Sequence, residues 1–188
     1  MKKFLFLIIA VVVFAKESLV VEEKITLGGG CFWCLEAIYQ EVEGVKSVVS
    51  GYMGGDKKSA NYPAVSTGLT KHAEVVQIIF DPDKIDLLEI LNIFWNIHDP
   101  TTLDRQGADI GPQYRSIIFT STNEQLQKAS ESLLEAQDRF SLPIVTQVVP
   151  QMEFFEAEEY HQNYFKNNPN NAYCQAVIAP KVKKFKEL

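Results

Sequence analysis

Apolar positions fall in short runs along this chain, and their spacing changes from run to run. Residues 25–27 are mostly apolar and end in Gly28-Gly29-Gly30, which predicts a strand entering a turn. Phe32, Leu35, Ile38, Tyr39 and Val42 then recur at helical spacing, and Gly44 ends that helix. Residues 45–50, 73–80, 114–120 and 144–149 are short β-branched or aromatic runs, each read as a strand. Apolar residues cover most of the circumference of the segment 86–97, which predicts a well-buried helix. Ser121 and Glu124 have capping-box spacing for a helix reaching about Arg139, and 156–166 reads as another helix, followed by loop and tail. Two stretches rich in Gly, Pro and small polar residues, 51–70 and 98–113, read as long loops of the kind that often carry function. The order β-α-β-β-α-β-α-β-α predicts a single α+β domain, a mixed sheet with helices on one face.

The N-terminus departs from this pattern. Lys2 and Lys3 precede an apolar run from Phe4 to Ala15, with small residues Val13 and Ala15 at the −3 and −1 positions before Lys16. This is the form of a secretory signal peptide, and the run is shorter than the ~20 residues of a membrane span. The expectation is therefore residues 1–15 as a removed signal and 16–188 as one domain. The protein would be exported, periplasmic or extracellular, with no stable membrane association once the signal is gone. Formal net charge is −6, and losing Lys2 and Lys3 makes it two units more negative. With no basic patch outside a lysine-rich tail, nucleic acid is not an expected partner. Three cysteines are too few for a disulfide framework.

Chemistry concentrates at Gly30-Cys31-Phe32-Trp33-Cys34. Cys31 follows a glycine turn at the predicted start of a helix, where unpaired N–H groups and the dipole favour a thiolate. Two aromatic residues beside a nucleophilic sulfur would suit a small, uncharged, thioether-like group. The same residues could instead be core, with Cys31 an inert buried thiol. Cys31-x-x-Cys34 also has the spacing of half a zinc site, but Cys174 and three scattered histidines supply no second half. A dithiol redox pair is a stronger alternative. Glu74 shares a strand face with Val76, Ile78 and Phe80, so its carboxyl should be desolvated and suited to donate a proton. Tyr62, Asp109 and Tyr114 come from loops or loop edges, where polar and aromatic groups often bind ligands.

Several segments, taken in order, resemble one family. These are Gly30-Cys31-Phe32-Trp33, Gly51-Tyr52-x-Gly54-Gly55, Gly68-x-x-x-His72-Ala73-Glu74-Val75, His98-Asp99-Pro100-Thr101 and Asp109-Ile110-Gly111-Pro112-Gln113-Tyr114-Arg115-Ser116. With Glu159-Tyr160-His161-Gln162 and Tyr173-Cys174 they are similar to peptide methionine sulfoxide reductase A over about residues 25–184. The resemblance implies a two-layer α/β sandwich with a ferredoxin-like core. It implies reduction of the S epimer of methionine sulfoxide, free or in peptides and oxidised proteins, without metal or organic cofactor. Cys31 would attack the sulfoxide sulfur and become a sulfenic acid. Glu74 would protonate the oxygen, Phe32 and Trp33 would hold the methyl group, and Tyr62, Asp109 and Tyr114 would bind the oxygen. Cys174 matches the C-terminal cysteine that resolves the sulfenic acid in many members, and Cys34 is an additional thiol. A 31–34 disulfide would require the helix start to deform, so a loose tail bringing Cys174 to Cys31 is the expected first step. A thioredoxin-like electron donor would complete the cycle. Two other functions fit parts of the pattern: an exported thiol–disulfide oxidoreductase using Cys31 and Cys34, and an inactive module that binds methionine-rich or oxidised segments.

Overall fold

The computed structural model describes residues 22–187, so the expected signal peptide lies outside the described residues. The chain opens with strand β1 (Glu23–Gly28), helix α1 (Phe32–Tyr39) and strand β2 (Val45–Met53). A 3-10 turn (Lys57–Ser59) and the single-turn helix α2 (Tyr62–Val65) lead to β3 (Ala73–Phe80) and α3 (Leu87–Ile97). A two-residue hairpin, β4 (Arg105–Gln106) with β5 (Asp109–Ile110), precedes a 3-10 turn (Pro112–Tyr114) and β6 (Ile117–Thr120). Next come α4 (Asn123–Ala136), β7 (Gln147–Pro150), β8 (Phe154–Glu156) and α5 (Tyr164–Asn167). The chain ends in a π-helical turn (Cys174–Ile178) continued by α6 (Ala179–Phe185).

The main sheet runs β7-β6-β1-β3-β2-β8, antiparallel throughout except for the β6–β7 pair. Its central four strands, β6-β1-β3-β2, with α1 and α3 as crossovers, make the ferredoxin-like core that the sequence resemblance implied, inside an α+β two-layer sandwich. Ile25 and Leu27 of β1, Val76, Ile78 and Phe80 of β3, and Ile118 of β6 pack against Leu35 and Ile38 of α1 and Ile90, Leu91 and Phe94 of α3. A smaller cluster of Met53, Ala73, Val75, Ile117 and Phe119 covers the opposite face. Glu74 therefore lies on the helix side of the sheet, as its alternation with Val76 and Ile78 predicts.

Several boundaries differ from the sequence reading, each for a local reason. β2 continues three residues past Ser50, and Gly51 fits under Phe154, whose ring a Cβ at that position would strike. The expected 51–70 loop thus begins as strand and also contains α2, capped by Asn61, whose side chain accepts the Ala64 N–H at 3.1 Å. The cap of α4 is Thr122, not Ser121; its hydroxyl accepts the Gln125 N–H at 3.1 Å. No helix spans 156–166: β8 ends at Glu156, a 3-10 turn covers Glu159–His161, and α5 begins only at Tyr164. The tail is helical rather than loose, with Cys174, Ile178 and Val182 in the main core.

Candidate active site

One cavity of about 290 Å³ is lined by Cys31, Phe32, Trp33, Tyr62, Glu74, Asp109, Tyr114, Tyr164, Asn171 and Tyr173. The structure thus brings together Cys31 and all six of the residues proposed from sequence to hold or protonate a ligand. They come from separate parts of the fold. Gly30, at φ +94°, turns the chain out of β1, and its missing Cβ leaves room for the Gln106 side chain. This turn sets Cys31 at the N-cap of α1, with φ −58° and ψ 125°, just outside the helical turn. Glu74 reaches the cavity from β3, the strand next to β1. Tyr62 is the first residue of α2, Asp109 lies on the β4–β5 hairpin, and Tyr114 closes the turn into β6.

The electrostatics favour neutral groups. Glu74 is almost fully buried, and desolvation pushes its carboxyl up to about 8, against the pull of the Phe32 N–H that its Oε2 accepts at 3.2 Å. Asp109 and Cys34 push the same way as burial. At neutral pH Glu74 is a protonated acid. Its Oε2 is engaged by the Phe32 N–H, so the proton belongs on the other oxygen. The Cys31 thiol is also pushed up, first by burial, then by its contact with Cys34 and by the Glu74 charge. This corrects the expectation of a resting thiolate: the terminal N–H of α1 serves Glu74 and the sulfur is too dry to ionise. Burial raises Tyr62 and Tyr114 as well, with Glu74 next among the causes, so both remain hydroxyl donors.

Phe32 is both core and cavity wall. Its ring lies 5.9 Å from Tyr52 and 5.1 Å from the buried His161, while Trp33 stacks on Tyr164 at 3.6 Å with planes 5° apart. Glu36, buried beneath them, accepts the N–H groups of Asn163 at 2.8 Å and Tyr164 at 3.2 Å, fixing the stacking partner. Glu158 does the same for Tyr62, accepting its N–H at 2.9 Å and the Tyr52 hydroxyl at 2.9 Å.

Cys34 and Cys174 lie behind the cavity rather than in it. Contact with the Cys31 thiol lowers the Cys34 thiol against the opposing effect of burial. Cys174 is fully buried and raised, first by burial and then by Cys34. Tyr164, Asn171 and Tyr173 were not singled out as ligand-binding from sequence. Four of the seven tyrosines line this one cavity, drawn from separate elements, so no periodicity in the chain signals them. Among the described residues, no three His, Cys, Asp or Glu side chains come together as a metal site.

The chain is similar in sequence and fold to known proteins. The sequence profile described as "Peptide methionine sulfoxide reductase" matches residues 23–188. The chain is 58% identical over 163 residues to the peptide methionine sulfoxide reductase MsrA of Leptospira borgpetersenii, covering 87% of this chain and 93% of that one. Its fold is similar to that of reduced Mxr1 from Saccharomyces cerevisiae, with a TM-score of 0.79 and 35% identity over 85% of this chain and 92% of that one. It is also similar to Mxr1 in complex with Trx2, with a TM-score of 0.57 and 27% identity over 80% and 90% of the two chains. The chain belongs to the peptide methionine sulfoxide reductase A family.

Proposed function

We propose that this protein reduces the S epimer of methionine sulfoxide to methionine, using Cys31 as nucleophile and Glu74 as acid. The observation that carries the reading is a buried, protonated carboxyl sharing one small cavity with a cysteine, two tyrosine hydroxyls and two aromatic rings. The substrate methyl group packs against Phe32 and Trp33, the oxygen faces Glu74, Tyr62 and Tyr114, and the remaining chain leaves by the mouth. Three substituents directed at three different walls, with sulfur facing Cys31, make the site handed.

A sulfoxide oxygen leaves sulfur readily only when protonated. Glu74 gives its proton to that oxygen while Tyr62 and Tyr114 donate hydrogen bonds to it. Cys31 loses its proton, which restores Glu74, and its sulfur takes the hydroxyl. The step balances as one thiol and one sulfoxide giving one sulfenic acid and one thioether. The sulfoxide sulfur is reduced by two electrons, the Cys31 sulfur is oxidised by two, and Glu74 ends unchanged.

Cys34 is favoured as the first thiol to attack the sulfenic acid, releasing water. Its sulfur contacts Cys31, and Cys31 as N-cap is not locked within the helix, so the deformation expected from sequence is smaller. Cys174, buried in a helical tail within electrostatic reach of Cys34, then displaces Cys31 by thiol–disulfide exchange. A thioredoxin-like donor reduces the final disulfide, a partner supported by the complex of Mxr1 with Trx2. Substrates are free methionine sulfoxide, oxidised peptides and oxidised proteins. Export is carried by residues 1–15, outside the described residues.

The test is single-turnover reduction of the separated S and R epimers by pre-reduced protein, counting thiols lost per methionine formed. The expected result is methionine from the S epimer alone with two thiols lost. No methionine from either epimer overturns the proposal and moves dithiol exchange by Cys31 and Cys34 to the front.

A further inference from the structure

Tyr173 touches both halves of the chemistry. Its hydroxyl donates to Asp109 Oδ2 at 2.7 Å, the one hydrogen bond of the Asp109 side chain among the described residues. Its ring meets Trp33 edge-on, centroids 5.9 Å apart and planes at 74°. Cys34 acts electrostatically on Tyr173 from behind the cavity. Tyr173 is also bonded directly to Cys174, the first residue of the π-helical turn. The chain from Asp109 through Tyr173 to Cys174 is therefore a strut between the cavity mouth and the buried tail.

Thiols in contact stand no closer than about 3.5 Å, whereas a disulfide needs about 2.05 Å, so joining Cys34 to Cys174 brings the two sulfurs together by more than an ångström. Cys174 opens the π turn directly after Tyr173, so any share of that movement taken by the tail reaches Tyr173, and a hydrogen bond of 2.7 Å does not survive a displacement of an ångström. We propose that Tyr173 is a positioning residue that makes sulfoxide binding and the Cys34–Cys174 disulfide antagonistic, because its hydroxyl orients Asp109 only while the tail holds its reduced seat. This rests on the reaction assigned above. The step concerned is Cys31–S–S–Cys34 + HS–Cys174 → Cys31–SH + Cys34–S–S–Cys174, which restores the nucleophile in a cavity that no longer retains substrate. By linkage, bound sulfoxide opposes the same disulfide to the same degree.

The experiment uses the Cys31→Ser chain, which binds without turnover, and measures affinity for the S epimer of methionine sulfoxide by titration calorimetry. One sample is fully reduced. In the other, Cys34 and Cys174 are joined by oxidised glutathione, which takes up the two electrons and two protons as two thiols. The reduced form is expected to bind roughly tenfold more tightly, the order that a hydrogen bond to a charged group contributes. Adding Tyr173→Phe, which keeps the ring on Trp33, should weaken the reduced form to the level of the oxidised one and abolish the difference. Equal affinities with Tyr173 present, a difference that persists in Tyr173→Phe, or failure of Cys34 and Cys174 to pair overturns the proposal. Absence of binding in both forms overturns it too. Methionine release by the wild-type chain then tells whether the assigned reaction falls with it.

Discussion

Replacing Glu74 by Gln should slow the enzyme and stabilise the protein at once. The carboxyl sits at about 8 in the fold against 4.5 for an unperturbed glutamate. A raised carboxyl favours the folded state fully only below the unfolded value, and that advantage is lost as pH rises from 4.5 through about 8. At pH 7 the unfolded chain gains from ionising a carboxyl that the fold keeps protonated, a penalty of about 3 kcal/mol on the wild-type fold. Gln has the same shape and does not ionise, and its carbonyl can still accept the Phe32 N–H that Glu74 accepts at 3.2 Å. Urea unfolding of the two proteins should therefore show Glu74→Gln ahead, with a lead that grows by about 2.5 kcal/mol between about pH 5.5 and about pH 7.5. The amide can hydrogen-bond a sulfoxide oxygen but cannot transfer a proton to it, so single-turnover methionine release should fall roughly a hundredfold or more with affinity retained. Near-normal turnover would refute the acid role. A stability lead that does not change with pH would refute the raised carboxyl, whatever happened to the rate.

Other perturbations test neighbouring parts of the argument. Tyr114→Phe removes a donor kept neutral by burial, and kcat should drop roughly tenfold or more while the folding midpoint barely moves; an unchanged kcat would remove Tyr114 from the oxygen-binding set. Glu36→Gln leaves one of the Asn163 and Tyr164 N–H groups facing an amide, so stability should fall by about 1–3 kcal/mol and KM should rise as Tyr164 loosens against Trp33. Unchanged urea midpoint and KM would show that those two bonds do not hold the stacking partner. His98 is buried between the Phe94 carbonyl at 2.6 Å and the Ser116 hydroxyl at 2.7 Å, and desolvation holds its ring down at about 4. Because the folded value is depressed, its contribution is complete above about 6.5 and is lost as pH falls through about 4, which urea midpoints should follow. A ring that titrates near 6.5 in the folded protein, read by NMR, would contradict this.

The strands and main helices were legible where a single face is buried over eight or more residues. β3 and α3 have the periodicities their surroundings impose, and the alternation in β3 placed Glu74 on the correct face. Legibility failed where tertiary contacts decide the outcome. β8 is three residues long and exists because Gly51, Tyr52 and Met53 offer it a paired edge. The two-residue strands that carry Asp109 have no sequence period at all. The tail looked polar because its lysines face water while Cys174, Ile178 and Val182, on the other side of the same helical turns, fill the core. At the site, residue types were readable but protonation was not. A helix start suggested a thiolate at Cys31, and only the packing reveals that Glu74 takes the N–H and that the sulfur is dry.

The two outermost strands also bear on how the protein keeps itself from polymerising. An unpaired sheet margin is a template for any extended chain that drifts past, and a catalyst acting on damaged proteins meets such chains constantly. Here one margin, β7, ends at Pro150, which has no N–H to offer a newcomer. The other, β8, stops after only three residues. Neither margin offers the run of about five or six free donors and acceptors on which a foreign strand could seed. Extended chains thus find no foothold on the sheet, which leaves the cavity as the place where a single side chain can be held.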